Sequence, residues 1–203
     1  MSARAIRRFV VLMVILIVVT MIGSDLYKDY FQRPPGDFEV QMGDNRLSEG
    51  KYKEAIEQFD AALRASPDHR GALMGRSIAF IQTERFPEAV AELTYLINFL
   101  EGSLESDDRT GKATLAGAYA NRGIVHDLTG RYQKALDDYI EALKTDAEAV
   151  DEPGVIHKIL YADPNPSSVR KRAQYIYEQL QKPVSERLMR VPEIDAKQRM
   201  RKP

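Results

Sequence analysis

Residues 50–63, GKYKEAIEQFDAAL, return at 130–143 as GRYQKALDDYIEAL, with the glycine, the tyrosine and most apolar positions in the same order. A chain that repeats itself in this way is restricted to a stack of like supersecondary units. Each unit leaves an apolar face that a neighbour of the same shape must cover. In the first copy Ala55, Ile56, Phe59, Ala62 and Leu63 recur at i, i+1, i+4, i+7 and i+8, an apolar stripe along one face of a helix. Gly50 and Gly130 follow apolar-periodic runs, where a helix end calls for positive φ. Ser66-Pro67-Asp68 punctuates the next turn.

A weaker third copy lies between the two. Glu84 takes the glycine slot, and Phe86, Ala89, Val90, Leu93 and Ile97 follow in order. Gly50 and Glu84 stand 34 residues apart, and Glu84 and Gly130 stand 46 apart, which is the same period with 12 residues inserted. This pattern resembles the tetratricopeptide repeat (TPR) family, whose helix–turn–helix unit has a period of about 34 residues. In that alignment Gly43, Ser77 and Gly123 take the small position where the two helices of a unit cross. Ala55, Ala89 and Ala135 take the early small position of the second helix, and Ala62, Leu96 and Ala142 the later one. Tyr119 fills the aromatic slot of the first helix, from which Glu39 and Leu73 depart.

The resemblance implies a concave face lined by the first helix of each unit. Carried over, the groove positions are Val40, Asp44 and Leu47, then Met74, Ile78 and Ile81, then Ala120, Ile124 and Asp127. Members that grip a C-terminal carboxylate use lysine and asparagine there. Here Val40, Asp44, Gly75 and Gly117 occupy the matching sites and only Asn121 agrees, so the lining suits an apolar helix or extended peptide better. The alternative is that the C-terminal segment itself fills the groove. Arg76 and Arg122, at equivalent positions, are placed to pair with acids between units.

A membrane element is expected at the N-terminus. Residues 9–22 carry no charge, and Arg4, Arg7 and Arg8 precede them. Phe9, Val10, Leu12, Ile15, Leu16 and Ile22 are the apolar anchors of this run. It is shorter than the roughly 20 residues that span a bilayer and falls in the range of a signal-peptide core. No A-x-A site follows, and snorkelling arginines with an interfacial belt of Tyr27, Tyr30 and Phe31 can extend the segment, which favours a retained anchor. The arginines place the N-terminus in the cytoplasm and the repeats on the extracytoplasmic, periplasmic side; a mitochondrial inner membrane is the alternative. Arg33-Pro34-Pro35-Gly36 reads as a stiff elbow before the first unit.

Beyond Asp146 the period fades. A short helix is expected over 155–161, and a second from an N-cap at Ser167 or Ser168 to about Gln181. On the second, Val169, Ala173, Ile176, Tyr177 and Leu180 form the apolar stripe, with Arg170, Lys171, Arg172, Gln174 and Glu178 facing out. That is a cap over the open end of a solenoid, or else a docking helix. The last residues carry Lys197, Arg199, Arg201 and Lys202, a solvated tail or a contact for anionic lipid or for an acidic surface of a partner. The insertion around 101–111 is polar and glycine-punctuated, and reads as a loop or extended connection between the two helices of a unit.

Little points to chemistry. The 203 residues carry a net charge of −1, which argues against nucleic acid, and no cysteine, which removes disulfides and thiolate metal sites. The histidines are His69, His126 and His157, without an H-E-x-x-H, and His126 is expected in core or groove. Thr110-Gly111-Lys112-Ala113 fails as a phosphate loop for want of its upstream glycine and of a magnesium-binding hydroxyl. Asp137 and Asp138 lie on an exposed face, and no G-x-S-x-G elbow occurs. Neither catalytic residues, nor metal ligands, nor a cofactor site is expected.

The expected fold is therefore all-α: a helix-turn-helix solenoid of three repeats plus a capping helix, with one N-terminal transmembrane helix. Residues 1–31 form the signal-anchor. Residues 36–146 form the repeat domain, with units at about 36–69, 70–103 and 116–149 and the insertion at 104–115. Residues 147–203 form the capping helix and basic tail. The function this implies is a membrane-anchored protein–protein interaction module that scaffolds, assembles or stabilises an envelope complex, with protein partners, lipid contact and no nucleic acid. Two alternatives stand beside it: an accessory subunit packed through its membrane helix, and a soluble exported protein after signal cleavage.

Overall fold

The computed structural model describes residues 7, 10–21, 23, 33–150, 168–191 and 200. Helix α1 (Asp37–Ser48) and α2 (Tyr52–Ala65) form the first hairpin, α3 (Arg70–Gln82) and α4 (Phe86–Ser103) the second, and α5 (Arg109–Leu128) and α6 (Tyr132–Val150) the third. Helix α7 (Val169–Leu180) follows, then a 3-10 turn at Val184–Glu186. Successive helices pack in chain order, and the first helices of the units also touch one another, α1 on α3 and α3 on α5. Among the described residues there is no strand.

The three hairpin turns share one geometry. Gly50 and Gly130 have φ of 73° and 75°, and Glu84 adopts φ 57° in the same slot. Behind each, the next amide donates to the carbonyl five residues back: Lys51 to Arg46, Arg85 to Phe80 and Arg131 to His126, at 2.9, 2.8 and 2.7 Å. This is the Schellman closure, which satisfies a carbonyl that the helix end leaves open. Glutamate keeps the left-handed backbone without glycine's freedom, so the turn is imposed by the hairpin and not by residue preference.

Inside each hairpin a large side chain enters a socket where the facing helix lacks one. A Cβ at Gly43 would lie 2.5 Å from the Phe59 ring, and one at Gly75 only 2.3 Å from it. In the third unit Gly123 leaves the equivalent space to Tyr139. The second unit uses Ser77 with Leu93, both fully buried, so a slightly larger wall meets a smaller knob. Ala55, Ala89 and Ala135, with Ala62, Leu96 and Ala142, are likewise fully buried, which lets the helices approach.

Two readings are corrected. The insertion is largely helical: α4 continues through Ser103 and α5 begins at Arg109, capped by Asp108 Oδ1 accepting from the Gly111 amide at 2.7 Å. It joins the second helix of one unit to the first of the next, and only residues 104–108 are non-helical. On α7 the stripe differs too. Tyr177 is exposed, whereas Arg172, expected outside, is buried. The cap at Ser168 holds, with its Oγ accepting from the Lys171 amide at 3.2 Å.

Among the described residues no helix is long and apolar enough to cross a membrane. Residues 10–21 are helical, with Val10, Leu12, Ile15 and Leu16 exposed, and Thr20 Oγ1 donates to the Leu16 and Ile17 carbonyls at 2.9 Å. Phe9, Ile22 and the Tyr27–Phe31 belt lie outside the described residues, as do the expected helix at 155–161, His157 and the tail cations Lys197, Arg199, Arg201 and Lys202.

Candidate partner-binding site

The expected groove positions are mostly internal. Met74, Ile78, Ile81, Ala120, Ile124 and Asp127 are buried, and only Val40, Asp44 and Leu47 of the first unit are half-buried. Met74, Ile78 and Ile81 share a core with Leu115, Ala118 and Val125 of α5, so stacking of first helix on first helix consumes them. Ala120 and Ile124 pack in a second cluster with Val169, Ala173 and Ile176 of α7. The structure thus brings the third-unit positions together under α7, and leaves the first-unit positions at the opposite end.

Asp127 is the most changed of the nine in meaning. It stands where the first two units carry Leu47 and Ile81, yet it is fully buried. Its two carboxylate oxygens accept from Arg172 Nε at 2.6 Å and Nη2 at 2.8 Å, a bidentate pair that docks α7 onto the third unit. Tyr139 Oη donates to the same carboxylate at 3.4 Å, and burial pushes its phenol well up. Asn121, the one position matching a carboxylate clamp, is also buried and donates to Met74 Sδ at 3.3 Å.

An open cleft lies elsewhere, between α2 and α4 over α3. It has a volume of about 680 Å³. Ile56, Asp60 and Leu63 of α2 form one wall and Glu88, Ala91, Glu92 and Tyr95 of α4 the other; Leu73, Arg76 and Phe80 make the floor, and Pro67 and Arg85 the ends. Arg76 crosses the floor, donating from Nη1 to Asp60 Oδ1 at 2.5 Å and from Nε to both Glu92 oxygens at 2.9 and 3.0 Å. Burial raises the Glu92 carboxyl above its usual range, opposed by Arg76. Burial also works against the charge on Arg76, but hydrogen bonds to Glu92 and Asp60 outweigh it and hold the guanidinium above its usual value. Arg85 stacks 4.3 Å from the centroid of Phe80, and Tyr95 donates to Asp68.

The expected Arg76 and Arg122 pairing is present in both units. Arg122 donates to both Asp138 oxygens, at 3.0 and 2.7 Å, and reaches Thr94 Oγ1 at 3.1 Å, the counterpart of Asp60 one period on. Each arginine therefore ties its own hairpin to the preceding one. Asp138, expected exposed, is in fact buried by this contact. His126 is buried as expected. Burial lowers its pKa, Asp138 opposes this from 3.8 Å, and Arg122, Arg131 and Lys134 reinforce it. Among the described residues no group of three His, Asp or Glu side chains is arranged to hold a metal. Sequence reading missed the cleft residues Arg85, Glu88, Glu92 and Tyr95; the available signal was the acid 16 residues to either side of Arg76.

Stacked helical hairpins with an open inter-unit cleft define a repeat solenoid. Its repeats are tetratricopeptide repeats: family models of that description match residues 40–97 and 116–148. The chain is 31% identical over 127 residues to RNA polymerase II-associated protein 3 of Xenopus laevis, covering 61% of this chain and 17% of that protein. It is 24% identical over 119 residues to Hsp70-Hsp90 organizing protein 3 of Arabidopsis thaliana, covering 59% and 19%. The chain thus spans under a fifth of these relatives' length. In fold it is similar to the first TPR of Spaghetti (RPAP3) bound to HSP90 peptide SRMEEVD, with a TM-score of 0.52, 18% identity and coverage of 73% of this chain and 94% of that one. The first TPR domain of the human RPAP3 protein gives a TM-score of 0.51, also at 18% identity, covering 73% and 94%. The first of these two structures holds a bound HSP90 peptide, and the fold of this chain, over the described residues, is that of an all-α TPR solenoid.

Proposed function

We propose that this chain holds a segment of another protein in the α2–α4 cleft, next to a membrane, and thereby helps to assemble or stabilise a membrane protein complex. The cleft carries the reading. It combines apolar lining from Ile56, Leu63, Leu73 and Phe80 with an exposed tyrosine at its rim and charges already fixed by partners within the fold. Pre-paired charges need no reorganisation when a ligand enters, so binding is not opposed by that ordering cost. Asp60, Glu88 and Glu92 outnumber Arg76 and Arg85, which suits an apolar segment bearing a cation. The peptide-bound relative supports a polypeptide as the ligand class, while the buried position of Asn121 argues against a carboxylate clamp here.

The tether rests on the uncharged run 9–22 and the arginines before it, with Val10–Met21 side chains exposed along the described helix. Orientation by the arginines puts the repeats outside the cytoplasm. The test replaces residues 9–22 by an unrelated membrane anchor, then purifies both chains in mild detergent. A tethered module retains its co-purifying protein and loses it on deletion of the anchor. Loss of the protein with the foreign anchor instead makes the chain a subunit packed through its own apolar helix. Recovery of the anchor-deleted chain with the same protein bound defeats the membrane half of the proposal.

A further inference from the structure

Beyond α7 and the 3-10 turn at Val184–Glu186 the chain runs in extended form over 187–191, and α7 holds it by its backbone. Tyr175 Oη donates to the Leu188 carbonyl at 2.5 Å, Gln179 Oε1 accepts from the Leu188 amide at 3.0 Å, and Arg172 Nη2 donates to the Met189 carbonyl at 3.1 Å. Of the three gripping side chains, Arg172 and Gln179 are buried with this segment in place, and Arg172 is also held by Asp127, independently of the segment. The gripped segment itself is loosely seated: Val184 and Leu188 are largely exposed, and Met189 is only half-buried against the third-unit cluster. Further on, Arg190 Nη2 donates to the Leu128 carbonyl at 2.6 Å, where α5 ends with its negative dipole pole. Met200 then packs beside both main clusters near Gln82 at the end of α3.

We infer that the face made by Arg172, Tyr175 and Gln179 of α7 with the end of α5 is a receptor for an extended peptide, occupied in cis by residues 187–191 as an internal competitor. The contacts read backbone amide and carbonyls, which any extended segment presents; the side-chain requirement is one methionine-like apolar residue followed by a cation. An outside segment of that chemistry enters only when the strap leaves. The strap is held by separate hydrogen bonds, those of Arg187 to the Leu180 and Lys182 carbonyls included, and by the half-buried Met189; past the 3-10 turn at Val184–Glu186 it has no helix or strand ladder, so it can be displaced without unfolding α7. This surface is distinct from the α2–α4 cleft, and its failure would leave the cleft reading standing.

The test uses the full chain and a fluorescein-labelled peptide of residues 182–191, followed by fluorescence anisotropy. In the wild type the strap competes; in the variant M189D/R190A it is released. The released chain is expected to bind the peptide at least tenfold tighter than the wild type, and adding Tyr175→Phe with Gln179→Ala to it is expected to weaken binding at least fivefold. A second release, by an engineered protease site after Gln181 in the full chain, guards against a misfolded variant and is expected to give the same gain. Equal peptide binding by the wild type and both released chains, including none by any of them, overturns the inference and makes the strap a fixed part of the cap. Binding unaffected by the Tyr175 and Gln179 changes overturns it as well. A concentration-dependent dimer of wild type that is lost in M189D/R190A would assign the strap to a second copy instead, and would also contradict the cis arrangement.

Discussion

At the scale of single residues, the stack is set by matched sizes. Phe59 needs the absence of side chains at both Gly43 and Gly75, and Tyr139 needs it at Gly123. In the second unit the pair is Ser77 and Leu93. Leu93→Phe alone should cost about 1–3 kcal/mol through overpacking. The double change Ser77→Gly with Leu93→Phe recreates the Gly43–Phe59 half of the first-unit arrangement, with Asn121 standing at the position of Gly75, and should recover at least about half of that loss, measured by urea unfolding. Equal losses for single and double variants would mean that the sockets are not matched pairs. This much was legible from the sequence, because small residues recur at 43, 77 and 123 in phase with the ring or leucine positions. The cleft was not. Its walls come from the second helices of two different units, and nothing in a single repeat says that these helices diverge while the first helices close.

At the scale of elements, α7 shows where helix-face reasoning fails. A stripe analysis assigns an arginine to solvent, since its charge is costly to bury without a partner. Arg172 is buried because Asp127 waits for it 45 residues earlier. The trace of this was present in the sequence: an acid at 127 where the preceding units have Leu47 and Ile81. Removing one partner leaves a buried charge, so Asp127→Leu should destabilise by about 3–5 kcal/mol. Adding Arg172→Met should return most of that stability, because an apolar pair at this site resembles the other two units. Calorimetry of the two variants checks it. A double variant as unstable as the single one would mean that the specific ion pair, and not the filling of the site, holds the cap. The insertion was misread for a related reason. Its polar, glycine-bearing residues suggest a loop, yet Ser103 and Arg109–Gly111 are helical because Leu104 and Asp108 close the ends of the two helices.

For the whole molecule, stacking uses the first helices for cohesion and α7 covers the third-unit end. Among the described residues a polypeptide-sized space lies in the cleft between α2 and α4, braced by Arg76. The function proposed follows from that division of surfaces, with the uncharged N-terminal run supplying location. The most direct measurement places a photoreactive phenylalanine analogue at Tyr95, on the cleft rim, and a second at Glu178, on the exposed face of α7. Membranes from cells expressing each chain are irradiated and probed for covalent adducts. The account predicts a discrete adduct with one protein from position 95 that is absent from position 178. Adducts from neither position, or the same adducts from both, would contradict it.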